Sequence, residues 1–306
     1  SLDFSERSLE VQRGVVMEEF KQRCLNQPYG DVGHLLRPLA YRVHPYQWPT
    51  IGKKLSHIAN ATLEEVKDFF FRFYAPNNAV LAVTGNISFE EALHLTEKWF
   101  GPIPRREVPL RQLPPEPVQT EERRLVVERN VPLDSLFMAY HMCDRADSDY
   151  AFDILSDILS NGRSSRLNQH LVQEKQLFSS IDAYISGTLD AGLFHISGKP
   201  AAGVSLEEAE AAVREELNEL QSALIQEQEL EKVKNKFEST QIFGNINYLN
   251  VATNLAWFEL NGRAEDMEKE VERYRAVTAD RLNAVAQTAF REENGVVLYY
   301  KSSRGE

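Results

Sequence analysis

The chain has 306 residues, and at roughly 150 residues per domain this length predicts about two domains, each large enough for its own core. Apolar residues make up 42% of the chain and charged residues 26%, a composition that excludes disordered and fibrous proteins. Its 46 acidic and 34 basic residues give a net charge of −12, the wrong sign for neutralising phosphates, so nucleic acid is not expected as a partner. No apolar run reaches the roughly 20 residues of a membrane span, and no signal-peptide pattern opens the chain.

The first elements are a helix and an ordered loop. Apolar residues recur at helical spacing from residue 8 to about residue 25, which predicts an amphipathic helix. Within this helix lies Cys24, one of two cysteines; the other is Cys143, and neither belongs to a CxxC pair. We therefore expect two buried free thiols rather than a disulfide or a thiolate metal site. Free thiols do not distinguish between compartments, so a cytoplasmic location and a periplasmic location both stay open. Two prolines and three aromatic residues then predict an ordered loop over 41–49.

A helix, a strand and a second helix follow. Thr62 is the predicted N-cap of a helix that ends before residue 76, with Glu65 as its capping-box partner. The apolar run 79–84 has the length of a strand. Ser88 is the predicted cap of a further helix that ends at Phe100.

A proline-rich segment separates two parts of the chain. Six prolines lie between residues 101 and 117, where they can neither continue a helix nor serve a central strand. We therefore predict a linker over 105–118, with one domain over 1–104 and a second domain over 119–306.

The second part contains strands, long helices and a closing strand. The predicted strands are 124–128, 134–140, 180–186, 192–197 and 296–300. The predicted helices are 147–159, 205–224, 227–243, 247–261 and 265–288, the last broken near Thr278. This order predicts an α+β fold in which helices pack on a mostly antiparallel sheet.

An internal repeat links the two parts. Seven residues match at a constant offset of 216 positions and without a gap. The residues Thr62, Glu64, Val66, Tyr74, Asn78, Val80 and Leu81 match Thr278, Asp280, Leu282, Phe290, Asn294, Val296 and Val297. Because a second copy that begins near residue 120 implies a first copy that begins about 100 residues before Ser1, we expect the natural protein to begin upstream.

Four strings resemble the pitrilysin/insulinase family of zinc metallopeptidases. They are FYAPNNAVLAVTGNIS (73–88), KWFGPIP (98–104), NGRSSRLNQHLVQEKQLF (161–178) and DAGLFHISG (190–198). The resemblance implies duplicated metallopeptidase-like α+β units of about 200 residues each, with the first unit truncated in this chain and the second complete but non-catalytic.

The resemblance also implies a zinc chemistry that this chain holds only in part. Family members carry an HxxEH motif whose two histidines bind Zn²⁺ and whose glutamate activates the metal-bound water. HxxEH is absent from these 306 residues. The strings beginning at His94 and His170 come nearest, but the first ends in Lys98 and the second lacks a final histidine. We therefore expect the histidines to be surface residues or hydrogen-bonded core residues.

A third zinc ligand is retained, according to the resemblance. The run 10–20 resembles the family helix that carries a downstream glutamate, and Glu19 occupies the matching position. The simpler interpretation is that Glu18 and Glu19 form a solvated acidic helix face. Many relatives carry an acid one heptad before this glutamate, where this chain has Gln12. Gln12 can form hydrogen bonds but supplies no charge near the zinc ligands. Zinc is thus expected in the intact protein, with Glu19 as a ligand, and not in this chain by itself.

Two substrate-contact positions of the family differ in this chain. Several relatives have an arginine and, seven residues later, a tyrosine, where this chain has Val172 and Ser179. Anchoring of substrate by these two positions cannot be assumed. The stretch 164–167 fits the family, and its simplest interpretation is a serine-capped helix start with a solvated Arg166.

These features lead to two functional hypotheses of different classes. The first is the C-terminal fragment of a zinc metalloendopeptidase that encloses peptides or unfolded proteins, with the fragment inactive by itself. The second is a non-catalytic core or scaffold subunit that forms a dimer with a related, active peptidase chain. The exchanges at Val172 and Ser179 favour the second hypothesis, whereas Glu19 favours the first. A homodimer and a heterodimer both stay open.

Overall fold

A computed structural model of the chain describes residues 3–142, 145–187 and 189–303. The chain forms two compact units, each built from three sequence segments. Unit 1 contains residues 1–23, 50–113 and 238–271, and unit 2 contains residues 24–49, 114–237 and 272–306. Residues 105–118 carry no helix or strand, and their role as a domain linker stays a prediction.

Helices account for most of the regular structure. In chain order they are α1 (Glu6–Phe20), α2 (Val32–Ala40), α3 (Leu55–Ala59), α4 (Leu63–Phe73), α5 (Phe89–Phe100), α6 (Arg145–Ser160), α7 (Leu206–Ser222), α8 (Glu227–Gly244), α9 (Tyr248–Asn261), α10 (Glu270–Ala276) and α11 (Ala279–Ala289). Two π-helical segments, Lys21–Leu25 and Leu167–Glu174, supplement them. No helix in the described part of the chain combines the length and apolar composition needed to cross a bilayer.

Unit 2 is built on a five-stranded sheet in the order β1-β5-β2-β4-β3. Its strands are β1 (Arg123–Arg129), β2 (Ser135–His141), β3 (Phe178–Ser186), β4 (Leu193–Pro200) and β5 (Gly295–Ser302). The β1–β5 pair is parallel and the other three pairs are antiparallel. The predicted α+β class with a mostly antiparallel sheet is confirmed.

Helices cover both faces of this sheet. On one face Met138 and Phe194 join the main core with residues of α6, α7 and α11, including Phe152 and Leu282. On the opposite face α2 packs against β5 and β2 around a smaller core. Because both of its faces are covered, β5 is an unbroken apolar run rather than an alternating one.

Unit 1 holds helices and extended segments. Thr62 caps α4, and the Glu65 carboxylate accepts a hydrogen bond from the Thr62 amide, so the predicted capping box is confirmed. Ser88 caps α5 by accepting a hydrogen bond from the Glu91 amide. The predicted strand over 79–84 is wrong, because these residues form no strand. A strand requires a neighbouring strand, and the described residues of unit 1 include none.

Candidate functional site

Glu19, the candidate zinc ligand, lies near the C-terminal end of α1. Its carboxylate forms an ion pair with Arg23 at 3.0 Å between Oε1 and Nη2, and its side chain is 41% exposed. Glu18 is more exposed and pairs with Lys21 at 3.6 Å. The two neighbouring acids therefore lie on accessible helix surface, each beside one base of its own helix.

Helix α1 is held in place from its N-terminal half. The Ser5 hydroxyl caps it by accepting a hydrogen bond from the Ser8 amide at 3.2 Å. Arg13 donates from Nη2 to the Ala61 carbonyl at 2.6 Å, which ties α1 to the end of α3. Gln12 is exposed at the rim of a shallow apolar groove of about 340 Å³ between these helices. The position that many relatives fill with an acid is therefore a polar surface residue here.

Glu19 fits a zinc site only as a single ligand. Its accessible carboxylate oxygens are suitable for Zn²⁺. Among the described residues, however, the sole group of three side chains able to hold a metal ion is His170, Glu216 and Glu219, which does not include Glu19. A catalytic zinc needs about three protein ligands. Any zinc bound by Glu19 therefore takes its remaining ligands from residues outside those described.

The second candidate region begins at Arg166. The expected solvated arginine is wrong, because the side chain is only 16% exposed and forms two hydrogen bonds to Glu229. These join Nε to Oε1 at 3.1 Å and Nη2 to Oε2 at 2.8 Å. The expected serine cap is also wrong, since the Ser165 hydroxyl donates to the Gly162 carbonyl at 2.7 Å instead of accepting from a helix amide. A glutamate 63 residues away is not visible to local pattern analysis.

Val172 and Ser179, the two exchanged positions, both have structural contacts. Val172 is half-buried and packs against the main core. Ser179 lies between Phe178 and Ser180 at an irregularity of the β3–β4 register, where its hydroxyl donates to the Lys199 carbonyl at 3.1 Å. Extra residues of this kind kink edge strands. Neither side chain offers a charged group to a ligand.

Several histidines are hydrogen-bonded inside unit 2. His44 contacts Asp190 at 3.1 Å, and His195 contacts the Ser186 hydroxyl at 2.6 Å. Burial, followed by the charge of Arg37, lowers the pKa of His195 to about 4, so this ring is neutral at pH 7. His170 contacts Glu216 at 2.8 Å. Local sequence patterns do not predict the His170–Glu216 pair, because 46 residues separate its members.

Of the cysteines, Cys24 is a buried free thiol, as expected. Cys143 lies outside the described residues.

Comparison with known proteins supports the same family that the sequence strings suggest. Residues 60–237 match the family model described as the peptidase M16 inactive domain. The Helicobacter pylori zinc protease PqqE is 30% identical over 238 residues, which cover 76% of this chain and 53% of that protein. A Bacillus subtilis protein named "Uncharacterized zinc protease YmxG" is 25% identical over 297 residues, which cover 96% of this chain and 71% of that protein.

Solved structures share the fold. A protease from Helicobacter pylori superposes with a TM-score of 0.91 at 26% identity, covering 98% of this chain and 74% of that one. A peptidase M16 inactive domain from Pseudomonas fluorescens superposes with a TM-score of 0.84 at 19% identity, covering 98% and 71% of the respective chains. The chain thus spans about half of PqqE and about three quarters of these solved chains.

Proposed function

This chain belongs to the peptidase M16 family, the pitrilysin/insulinase family of zinc metallopeptidases, and from that membership we propose that it forms the C-terminal part of a zinc-dependent metalloendopeptidase. It contains the inactive domain of that family. In this proposal residues 119–306 are the non-catalytic unit that helps to enclose peptides or unfolded proteins. Residues 1–104 complete a zinc-bearing unit, and the chain by itself hydrolyses no peptide bond.

The observation that carries the proposal is the accessible carboxylate of Glu19 at the position that matches the family's downstream ligand. Its ion pair with Arg23 is weak, because an exposed pair contributes about 0–1 kcal/mol, and the Arg23 side chain is 70% exposed. Zinc, when bound, would polarise a peptide carbonyl and a water molecule. Glu19 would hold it by one oxygen.

The contribution of unit 2 to substrate binding follows from the edge of its sheet. Strand β3 lies at one end of the strand order, and among the described strands its one partner is β4. Its other edge therefore presents backbone amides and carbonyls with which an extended peptide can pair. Such pairing is independent of side-chain identity, which suits a peptidase for unfolded chains. The net charge of −12 favours neutral or basic peptides over acidic ones.

A scaffold subunit is the alternative function. Val172 packs in the core and Ser179 bonds to Lys199, so neither position supplies the arginine and tyrosine of several relatives. A subunit of this class would keep the fold and form a homodimer or a heterodimer with an active peptidase chain. It would neither need zinc nor cleave peptides.

The decisive test compares Glu19→Gln with Glu18→Gln in the natural protein, including whatever precedes Ser1. Both changes remove one negative charge from the same helix end, so Glu18→Gln is a matched control. We expect Glu19→Gln to lose one equivalent of bound zinc and to lower cleavage of an unfolded peptide at least about 100-fold. Glu18→Gln should leave both unchanged.

Three results would overturn parts of the proposal. Retention of all zinc by Glu19→Gln would show that Glu19 is not a ligand. Cleavage by the 306-residue chain alone would contradict its expected inactivity. A natural protein that cleaves no peptide, yet co-purifies in a defined complex with a related peptidase chain, would establish the scaffold alternative.

A further inference from the structure

A second group of metal-ligating side chains lies in unit 2. His170, Glu216 and Glu219 each offer one ligand atom, and these three atoms lie within 4.8 Å of one another. The shortest distance joins His170 Nδ1 to Glu216 Oε2 at 2.8 Å. One imidazole nitrogen and two carboxylate oxygens form a mixed donor set of the type that zinc takes in proteins.

Two structural elements bring the three residues together. His170 lies in the π-helical segment Leu167–Glu174, which is anchored by the fully buried Leu167 and Leu171. Glu216 and Glu219 are three residues apart on α7, so they lie on the same helix face. The lengthened turn of a π-helix places side chains where a regular helix would not, and such segments are frequent at functional sites.

The buried carboxylate of Glu216 favours the binding of a cation beside it. Its side chain is 4% exposed. Within the described chain its ion pair is with His170, not with a lysine or arginine. The nearby bases are engaged elsewhere: Lys175 pairs with Glu215, and Arg166 holds Glu229 in a bidentate pair. Among the described residues Glu216 thus has no direct ion pair with a lysine or arginine, and a divalent ion would offset the cost of burying its carboxylate.

Arg166 is one of the permanently charged bases that interact electrostatically with this set, and Lys175 is another. Burial by itself would lower its pKa, but the hydrogen bonds and charge of Glu229 outweigh burial and raise the pKa, and Glu219 and Glu216 raise it further. The carboxylates of Glu216 and Glu219, two of the three candidate ligands, thus act on the charge of Arg166. Its Nε and Nη2 atoms are both bound to Glu229.

Access to the group comes from a groove of about 830 Å³. His170 and Glu219 line it together with Arg166, Glu229 and Lys232. Glu219 is exposed and can turn, whereas Glu216 is fixed by burial. Metal–ligand bonds of about 2.0–2.2 Å place two ligand atoms at most about 4 Å apart, so a small rotation of Glu219 closes the present spacing around an ion.

We propose that His170, Glu216 and Glu219 form a binding site for a divalent transition-metal ion of the zinc type, separate from Glu19. Three protein ligands leave a coordination position open to the groove for water or a ligand oxygen. The ion would connect the π-helical segment to α7 and so stabilise unit 2. This site does not depend on the proposed peptidase function, since none of its residues belongs to unit 1.

The test is zinc binding to the 306-residue chain, which has no HxxEH motif. We expect one equivalent of Zn²⁺ in competition with a chromophoric chelator, a raised melting temperature, and visible absorption from four-coordinate Co²⁺ when cobalt replaces zinc. Glu219→Gln, an exposed change that should not impair folding, should weaken zinc binding at least about tenfold. His170→Ala should do the same.

The matched control is Glu215→Gln, because Glu215 is on the same helix, is exposed and pairs with Lys175. It removes the same charge without removing a ligand, so it should bind zinc as the unchanged chain does. Glu19→Gln should also bind zinc normally here, which separates this site from the proposed catalytic one. The proposal is overturned if the chain binds no zinc, or if Glu219→Gln and Glu215→Gln bind it equally.

Discussion

Residues 62–78 and residues 278–294 have the same local structure at a constant offset of 216 positions, yet a strand follows only the second segment. Thr62 and Thr278 each accept a hydrogen bond from the amide three residues later. Each begins an 11-residue helix, α4 or α11, and a single 3₁₀ turn follows each helix, at Pro76–Asn78 and at Glu292–Asn294. The predicted repeat is therefore confirmed at the level of elements.

One side-chain hydrogen bond is also repeated. Asn78 donates from Nδ2 to the Phe73 carbonyl at 2.8 Å, and Asn294 donates from Nδ2 to the Ala289 carbonyl at 2.7 Å. Both bonds join an asparagine to the end of the preceding helix. Local sequence therefore specifies the helix, its cap, its end and the turn after it.

The two segments differ after this turn. Val296 and Val297 are 1% exposed within β5, which lies between β1 and β2. The matching Val80 and Leu81 are 38% and 55% exposed and form no strand. The comparison teaches that an apolar run of strand length becomes a strand only where neighbouring strands satisfy its backbone groups.

The largest expected difference between the copies is at the end of each helix. Phe290 is 4% exposed and packs edge-on against Tyr140 and Phe194, whereas the matching Tyr74 is 63% exposed. We expect Phe290→Ala to lower the free energy of unfolding of unit 2 by about 3–5 kcal/mol. Tyr74→Ala should lower stability by less than about 1 kcal/mol. Urea unfolding, with hydrogen exchange of the β5 amides, measures both, and equal effects would contradict the contrast in burial.

A second difference concerns pH, because Tyr299 of β5 matches Val83. The buried carboxylate of Glu210 accepts hydrogen bonds from Tyr299 at 2.5 Å and from Arg124 and Arg214. Burial would raise the pKa of Glu210, but these bonds outweigh it and lower the pKa to about 2 from an ordinary value of 4.5. A lowered pKa stabilises the folded chain above about pH 4.5, and this stabilisation is lost as pH falls towards 2.

We expect this loss to amount to at most about 3 kcal/mol, since one pKa unit corresponds to about 1.4 kcal/mol. Tyr299→Phe removes one hydrogen-bond donor, so the pKa of Glu210 should rise, the total loss of stability should be smaller, and the loss should be complete at a higher pH. The midpoint of urea unfolding, recorded at several pH values between about 2 and 6, measures this loss of stability. Tyr300→Phe is the control, because its hydroxyl donates to Asp31 instead. An unchanged midpoint profile for Tyr299→Phe would disprove the assigned role.

The smallest expected difference is between the two asparagines. Asn294 is buried and donates a second hydrogen bond to the His141 carbonyl at 2.8 Å, whereas Asn78 is exposed. Asn294→Ala should therefore cost about 1–3 kcal/mol, because it leaves buried carbonyls without a donor. Asn78→Ala should cost about 0.5–1 kcal/mol. Calorimetry of the two variants measures both losses of stability. A larger loss for Asn78→Ala than for Asn294→Ala would contradict the difference in burial.

Much of the fold follows from local pattern. The helix over 8–25, the caps at Thr62 and Ser88, and all five strands of unit 2 are predicted within a few residues. Covalent neighbours supply the cap donors and the periodic apolar face, so a window of about ten residues contains the signal. The family resemblance is likewise carried by short strings, and the role of Glu19 rests on that resemblance alone.

Tertiary structure decided what depends on residues far apart in sequence. The segment 79–84 has the composition of a strand but no strand beside it, and Arg166 is held by Glu229 rather than by solvent. His170 is not grouped with Glu174 of its own segment, whereas α7 brings Glu216 to it across 46 residues. Sequence alone therefore determined most of the elements, the caps at Thr62 and Ser88, and the family, since these depend on near neighbours. Strand pairing, charge pairing and the grouping of metal ligands depend on distances that only the folded chain sets.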